Sequence, residues 1–153
     1  MALRDTIAAD LKEAMRARDQ VRVDTLRSAL SAFSYKKIEA GRDLEEADQV
    51  DVVRKLIKQR SDSIAEFERG NRPELAAKET REREILAALL PPQKSVEEIR
   101  LIVRDALGGL PESERTQGNA MKLLMPRLRG ETDGNTVRQL VTEELKAGRS
   151  PGE

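Results

Sequence analysis

The sequence predicts an all-α protein in which a bundle of about four helices precedes a small three-helix domain. Hydrophobic residues make up 38% and charged residues 37% of the 153 residues, a balance typical of amphipathic helices with narrow apolar faces. The aromatic and β-branched runs that mark strands are missing. Apolar residues recur instead at spacings of three and four, in segments separated by glycine and proline.

The first two predicted helices follow from this spacing. Helix one runs from about Leu3 to Arg18, and helix two from about Gln20 to Ala40. Gly41 ends helix two, because glycine readily takes the left-handed conformation of a helix C-terminus. The apolar stripes of the two helices are Leu3, Ile7, Leu11 and Met15, then Val23, Leu26, Leu30 and Phe33.

The next two helices are predicted from their end signals. Asp43 with Glu46 is typical of the N-terminal cap of a third helix, which ends at Gly70. Asn71 is the expected cap of helix four, which has Pro73 in its first turn and continues to Leu90. The stripe of helix three is Val50, Val53, Ile57, Ile64 and Phe67.

Pro91 and Pro92 end helix four and mark the predicted domain boundary, since proline lacks the amide donor that a helix requires. The expected parts are an N-terminal domain (1–91), a C-terminal domain (94–148) and a disordered tail (149–153). In the C-terminal domain, a capping box from Ser95 to Glu98 opens helix five. The remaining predicted bounds are a stop at Gly108-Gly109, helix six from Gln117 to Arg129, and helix seven from Asp133 to Gly148.

Three charged residues interrupt the apolar stripes of helices three and four. Arg60 falls between Ile57 and Ile64, and Glu79 and Glu82 occupy the corresponding steps of helix four. A short turn joins the two helices, so they should pack antiparallel and Arg60 is expected to meet Glu79 or Glu82. Two interpretations are open: a structural ion pair that fixes helix register, or a paired-carboxylate acid/base site. The ion pair is favoured, because a positioned arginine keeps carboxylates ionised.

Composition excludes several classes of chemistry. The chain has no cysteine and no histidine, which rules out disulfides, thiolate metal sites and imidazole general bases. No phosphate loop and no metal-ligand motif is recognisable, so we expect no cofactor and no metal. The longest apolar run, Ile85 to Leu90, is too short to span a membrane, and the N-terminal residues lack a signal peptide, so a cytosolic location is expected.

A basic segment without acidic residues lies between Gln117 and Gly130. It contains Lys122, Arg127 and Arg129, and Arg138 follows in helix seven. These four residues are candidates for phosphate contacts with RNA, although residues 94–153 have 10 Lys and Arg against 10 Asp and Glu. Composition alone favours an ordinary amphipathic helix whose cations complement the helix dipole.

Short motifs along nearly the whole chain make the sequence resemble the YqeY-like family. In the first part they are Leu11, Ala14-Met15, Asp19, Leu26-Arg27, Lys58-Gln59-Arg60, Ser63-Ile64, Phe67, Arg72, Leu75, Glu82, Ile85-Leu86 and Leu90-Pro91. In the second part they are Gly118, Met121, Met125-Pro126, Gly130, Asp133-Gly134, Val137, Leu140-Val141 and Leu145. Each motif is weak alone, and their order and spacing carry the assignment.

The resemblance implies a helical bundle followed by a three-helix domain similar to the tail of the GatB subunit of tRNA-dependent amidotransferases. That tail is the part that reaches tRNA, so the resemblance implies a non-catalytic accessory protein that binds tRNA or another structured RNA. Two alternatives stay open. One is a component of a glutamine-dependent tRNA amidotransferase, a carbon–nitrogen ligase, that is active only with partner subunits. The other is a helical protein–protein adaptor.

Overall fold

A computed structural model describes residues 2–148 as a set of α-helices joined by short turns. The helices are α1 (Leu3–Arg16), α2 (Gln20–Ala40), α3 (Glu46–Arg69), α4 (Pro73–Ala87), α5 (Val96–Gly108), α6 (Gln117–Leu128) and α7 (Gly134–Ala147). A single 3₁₀ turn, Glu112–Glu114, precedes α6, and no sheet forms within residues 2–148. The predicted all-α class is therefore confirmed. The predicted disordered tail, 149–153, lies outside the described residues.

The chain divides into two compact units, Met1–Leu90 and Pro91–Glu153, which we call the N-terminal and C-terminal units. In the N-terminal unit, α1 to α4 enclose one apolar core, and the residues at its centre are Ile7, Leu26, Phe33, Val53 and Leu86. Most of them come from the predicted stripes. Met15 is an exception, because 51% of its surface is exposed. It lies in the last turn of α1, where the small residue Ala14 faces the core instead.

Turns shift several helix ends from their predicted positions. Helix α1 ends two residues early because Arg18 adopts a positive φ of 56° and starts the turn into α2. The C-terminal cap of α2 is as predicted, with Gly41 in the left-handed region at φ 68°. Helix α4 ends at Ala87 instead of Leu90.

Two predicted N-terminal caps are wrong. Glu45, rather than Asp43, caps α3, and the Asp48 side chain accepts a hydrogen bond from the Glu45 backbone N–H at 2.9 Å. Asp43 instead forms an ion pair with Lys37. The cap residue of α4 is Arg72, since Asn71 takes a positive φ of 55° in the turn before it.

The C-terminal unit has its own core, formed by facing stripes of α5, α6 and α7. Its fully buried members are Ile99, Val103, Ala120, Leu124, Leu128, Val137 and Val141. A side chain caps the N-terminus of each of the three helices: Ser95 for α5, Thr116 for α6 and Asp133 for α7. Since the predicted cap residues Ser95 and Asp133 are in place, local sequence sets where α5 and α7 begin.

Candidate functional site

Helix α6 has two exposed basic side chains outside its buried stripe. Ala120, Leu124 and Leu128 are its buried residues, which turns Lys122 and Arg127 outward, and both are exposed. Neither cation has a carboxylate within 4.0 Å in the part of the chain that the structure describes. An amphipathic helix of this kind leaves both charges available to an anionic partner.

The other two basic candidates lie outside α6. Arg138 is exposed on α7 and donates from Nη1 to the side-chain oxygen of Asn135 at 3.3 Å. Arg129 is exposed too, but α6 ends at Leu128 and Arg129 has extended backbone (ψ 126°). The seven-residue spacing of Lys122 and Arg129 predicts that they share a helix face, but this is wrong because Arg129 lies beyond the end of α6.

Three acidic residues of α7 and of the turn before it contact cations outside the candidate set, and the fourth, Asp133, caps α7. Glu131 lies 3.5 Å from Lys94 Nζ. The carboxylates of Glu143 and Glu144 lie 3.1 Å and 3.2 Å from Arg100 Nη1, and Glu144 also accepts from Arg104 Nε at 2.9 Å. Helix α5 thus supplies the cations that compensate the glutamates of α7. The C-terminal unit as a whole has no net charge.

Glu144 is the centre of this α5–α7 network. Only 9% of its side chain is accessible. The hydrogen bond from Arg104, followed by that from Arg100, holds the pKa of Glu144 below its ordinary value, although burial acts in the opposite direction. Glu144 is therefore ionised at neutral pH and bound on both oxygens by α5.

In the N-terminal unit, Arg60 of α3 meets both carboxylates that the sequence singled out on α4. Its Nε atom lies 2.9 Å from Glu82 and 3.5 Å from Glu79. The accessible side-chain fractions are 19% for Arg60, 12% for Glu82 and 23% for Glu79. Arg60 Nε makes no hydrogen bond within residues 2–148, so the short contact to Glu82 is an ion pair without hydrogen-bond alignment.

The two carboxylates of this cluster are not equivalent. Burial, followed by the negative charge of Glu82, raises the pKa of Glu79 above its ordinary value, and the charge of Arg60 opposes the rise without cancelling it. The argument that Arg60 keeps both carboxylates ionised is thus too simple. Arg60 lies closer to Glu82 than to Glu79, so the two carboxylates do not share its charge equally.

Sequence reasoning did not identify the two arginines of α5, nor a buried glutamine of α3. Arg100 and Arg104 are four residues apart, and Glu144 lies on a helix distant in sequence, so only tertiary structure pairs them. Gln49 is 7% exposed and falls on the buried face with Val53 and Leu56. In the sequence, Gln49 directly precedes the apolar stripe of helix three, and this position was the only indication that it could be buried.

Neither a metal-binding cluster nor a membrane-spanning helix is present in residues 2–148. No group of three or more acidic side chains in residues 2–148 is arranged to hold a metal ion. None of the helices α1 to α7 is long and apolar enough to cross a membrane.

The sequence profile of the family described as Yqey-like protein matches residues 4–145. Curated relatives are described as altered inheritance of mitochondria protein 41, mitochondrial. The relative from Kluyveromyces lactis is 45% identical over 118 residues, 72% of this chain and 63% of its own. The relative from Lachancea thermotolerans is 43% identical over 107 residues, 68% of this chain and 57% of its own. The relative from Vanderwaltozyma polyspora is 35% identical over 144 residues, 92% of this chain and 72% of its own.

The chain thus spans about 60% of the length of the first two relatives. Their descriptions place those relatives in mitochondria. The cytosolic location expected for this chain stays a prediction.

Proposed function

Because the chain belongs to the YqeY-like family, we propose that it is a non-catalytic RNA-binding protein whose C-terminal unit contacts the backbone of tRNA or another structured RNA. The contact face consists of Lys122, Arg127, Arg129 and Arg138, and we call it the α6–α7 basic face. All four side chains are exposed. Phosphate contacts of this kind supply affinity without reading sequence.

The observation that carries the proposal is the pairing of nearby acids with other cations. A neutral domain binds RNA only where its positive charges are locally uncompensated. Arg100 and Arg104 hold Glu143 and Glu144, and Lys94 lies beside Glu131. Lys122 and Arg127 have no acidic partner among residues 2–148.

The test is binding of unmodified tRNA to the full chain at several salt concentrations. Four phosphate contacts give an affinity that falls with salt with a log–log slope of about −3. The double variant Lys122→Gln/Arg127→Gln is expected to bind about tenfold or more weakly at low salt, with the magnitude of the slope reduced by about 1.5.

A matched control distinguishes this face from residues 54–60 of α3, a segment that contains four Lys and Arg and no acidic residue. Lys55→Gln/Lys58→Gln removes the same charge from two exposed lysines of the N-terminal unit, and tRNA affinity is expected to change less than twofold. Equal losses in the two double variants would assign binding to overall charge, and an affinity independent of salt would rule out phosphate contacts.

We also propose, from the family likeness alone, that such RNA binding serves a tRNA-dependent amidotransferase. Co-purification of the full chain with amidotransferase subunits, with and without tRNA, tests this partner. Failure to co-purify under both conditions would remove the amidotransferase while leaving RNA binding to its own test.

A further inference from the structure

A cavity of about 590 Å³ lies in the N-terminal unit, where the beginning of α1, the end of α2 and the beginning of α3 meet. Phe33, Ile38 and Leu44 form its apolar walls, and Arg4 and Gln49 are among its polar residues. The volume is typical of pockets that hold small molecules. All residues that line it belong to the N-terminal unit, so it is distinct from the α6–α7 basic face.

Gln49 is the most buried polar residue that lines this cavity. Its side-chain oxygen accepts a hydrogen bond from the Arg4 backbone N–H at 3.1 Å. That N–H belongs to the first turn of α1, whose cap residue Ala2 has no side-chain acceptor, so Gln49 caps α1 from another helix. The hydrogen bond gives the amide oxygen of Gln49 a partner. It also fixes which end of the amide is the oxygen, because a backbone N–H requires an acceptor.

The nitrogen of the same amide has no such explanation. Only 7% of the surface of Gln49 is exposed, and its Nε2 atom donates to no group among residues 2–148. Nε2 is not among the fully buried side-chain atoms that lack a partner, so this nitrogen lies within the small part of the residue that stays accessible. Gln49 therefore offers two N–H donors to whatever occupies the cavity that it lines.

The charge of the cavity favours an anion. The Arg4 guanidinium lines it and has no carboxylate within 4.0 Å in the described part of the chain. The acidic residue of the lining, Asp43, is already paired with Lys37 at 2.9 Å. The N-terminus of α1 adds partial positive charge beside Arg4. The lining thus carries two cations, Arg4 and Lys37, and one anion, Asp43, and this excess of one positive charge matches one negative charge.

The walls require a ligand with an apolar body. Ile38 exposes 80% of its surface, and Leu44 and Phe33 present apolar atoms beside it. Covering such surface drives association of apolar molecules. We propose that this cavity, the Gln49 pocket, binds a monocarboxylate with an apolar body. The carboxylate accepts from Gln49 Nε2 and from the planar Arg4 fork, and the body covers Ile38 and Leu44.

Two sources could supply this chemistry, a free carboxylic acid or the terminal carboxylate of an apolar peptide. The full chain, labelled with ¹⁵N, is titrated with 4-phenylbutanoate and with an acetylated peptide ending in two leucines. The corresponding amides, which lack the charge, are the matched ligand controls. We expect the side-chain amide signals of Gln49 to shift with one or both carboxylates, at a Kd below about 1 mM, and the tighter one identifies the source.

Variants separate the pocket from a non-specific effect. Arg4→Gln keeps the backbone donor to Gln49 and is expected to weaken carboxylate binding about tenfold, the effect of one charge-assisted hydrogen bond. Arg16→Gln removes the same charge from the exposed end of α1 and should leave the Kd unchanged within twofold. Binding of the amides as tight as that of the carboxylates, or an unchanged Kd in Arg4→Gln, would overturn the proposal.

Discussion

Replacing Arg60 tests whether the charged cluster between α3 and α4 stabilises the fold. Arg60→Met keeps most of the apolar length of the side chain and removes the guanidinium. Glu82, 12% accessible, and Glu79, 23% accessible, are then left facing each other without a cation. The protein must protonate one of them, hydrate them or move them apart, and each response lowers the free energy of unfolding.

The magnitude follows from the burial of the cluster. Removing one partner of a fully buried ion pair costs about 3–5 kcal/mol, whereas exposed pairs contribute about 0–1 kcal/mol. The three side chains of this cluster keep 12–23% of their surface accessible. We therefore expect Arg60→Met to lose about 2–3 kcal/mol. In a unit of this size, that loss lowers Tm by roughly 10–20 °C.

The two carboxylates should respond differently to neutralisation. Glu82→Gln breaks the 2.9 Å ion pair and is expected to lose about 1–2 kcal/mol. Glu79 has a raised pKa in the folded protein, so its protonated form is favoured by folding. The stability linked to Glu79 is therefore full below its ordinary pKa of 4.5 and is lost as pH rises through the folded value. Glu79→Gln, which mimics the protonated form, should be neutral or stabilising at neutral pH.

Urea unfolding followed by far-UV circular dichroism measures these changes, with Arg69→Met as the matched control. Arg69 is an exposed arginine in the last turn of the same helix, so its replacement should change stability by less than about 0.5 kcal/mol. Arg60→Met combined with Glu82→Gln should recover about 1 kcal/mol relative to the sum of the single variants. An Arg60→Met loss no larger than that of Arg69→Met, or strict additivity, would refute the pairing.

Three further predictions concern the core, a helix end and acid stability, and calorimetry and pH-dependent unfolding check them. Leu86→Ala, at a fully buried position of α4, should lose about 3 kcal/mol, and a loss under 1 kcal/mol would mean that the site is not close-packed. Gly41→Ala should lose about 1 kcal/mol because φ is 68°, whereas no neighbouring atom would clash with the new Cβ. Glu144 has a lowered pKa, so the stability that it contributes is present above pH 4.5 and is lost as pH falls through its folded pKa. Glu144→Gln should therefore make the free energy of unfolding depend less on pH in acid. An unchanged pH profile would contradict this prediction.

Local sequence alone determined the helical class and many of the helix boundaries. The apolar stripes predicted from spacing supplied central residues of the first core, among them Ile7, Leu26 and Val53. Caps that depend on residues three apart, such as Ser95 with Glu98, also appear as predicted, because both partners lie within one turn. Where the prediction shifted, at Asp43 and Asn71, the geometry of the turn placed the cap on Glu45 and Arg72, although local preference favours Asp and Asn.

Only the tertiary structure decided which charges are compensated. The sequence contains equal numbers of cations and anions and gives no information on the pairing of Arg100 and Arg104 with Glu144, which is 40 residues or more away. It likewise does not show that Lys122 and Arg127 have no acidic partner among residues 2–148. The capping of α1 by Gln49, 45 residues distant from Arg4, is of the same kind. Helix periodicity is a local property and can be read from neighbours, whereas charge compensation and cavities depend on which helix faces meet.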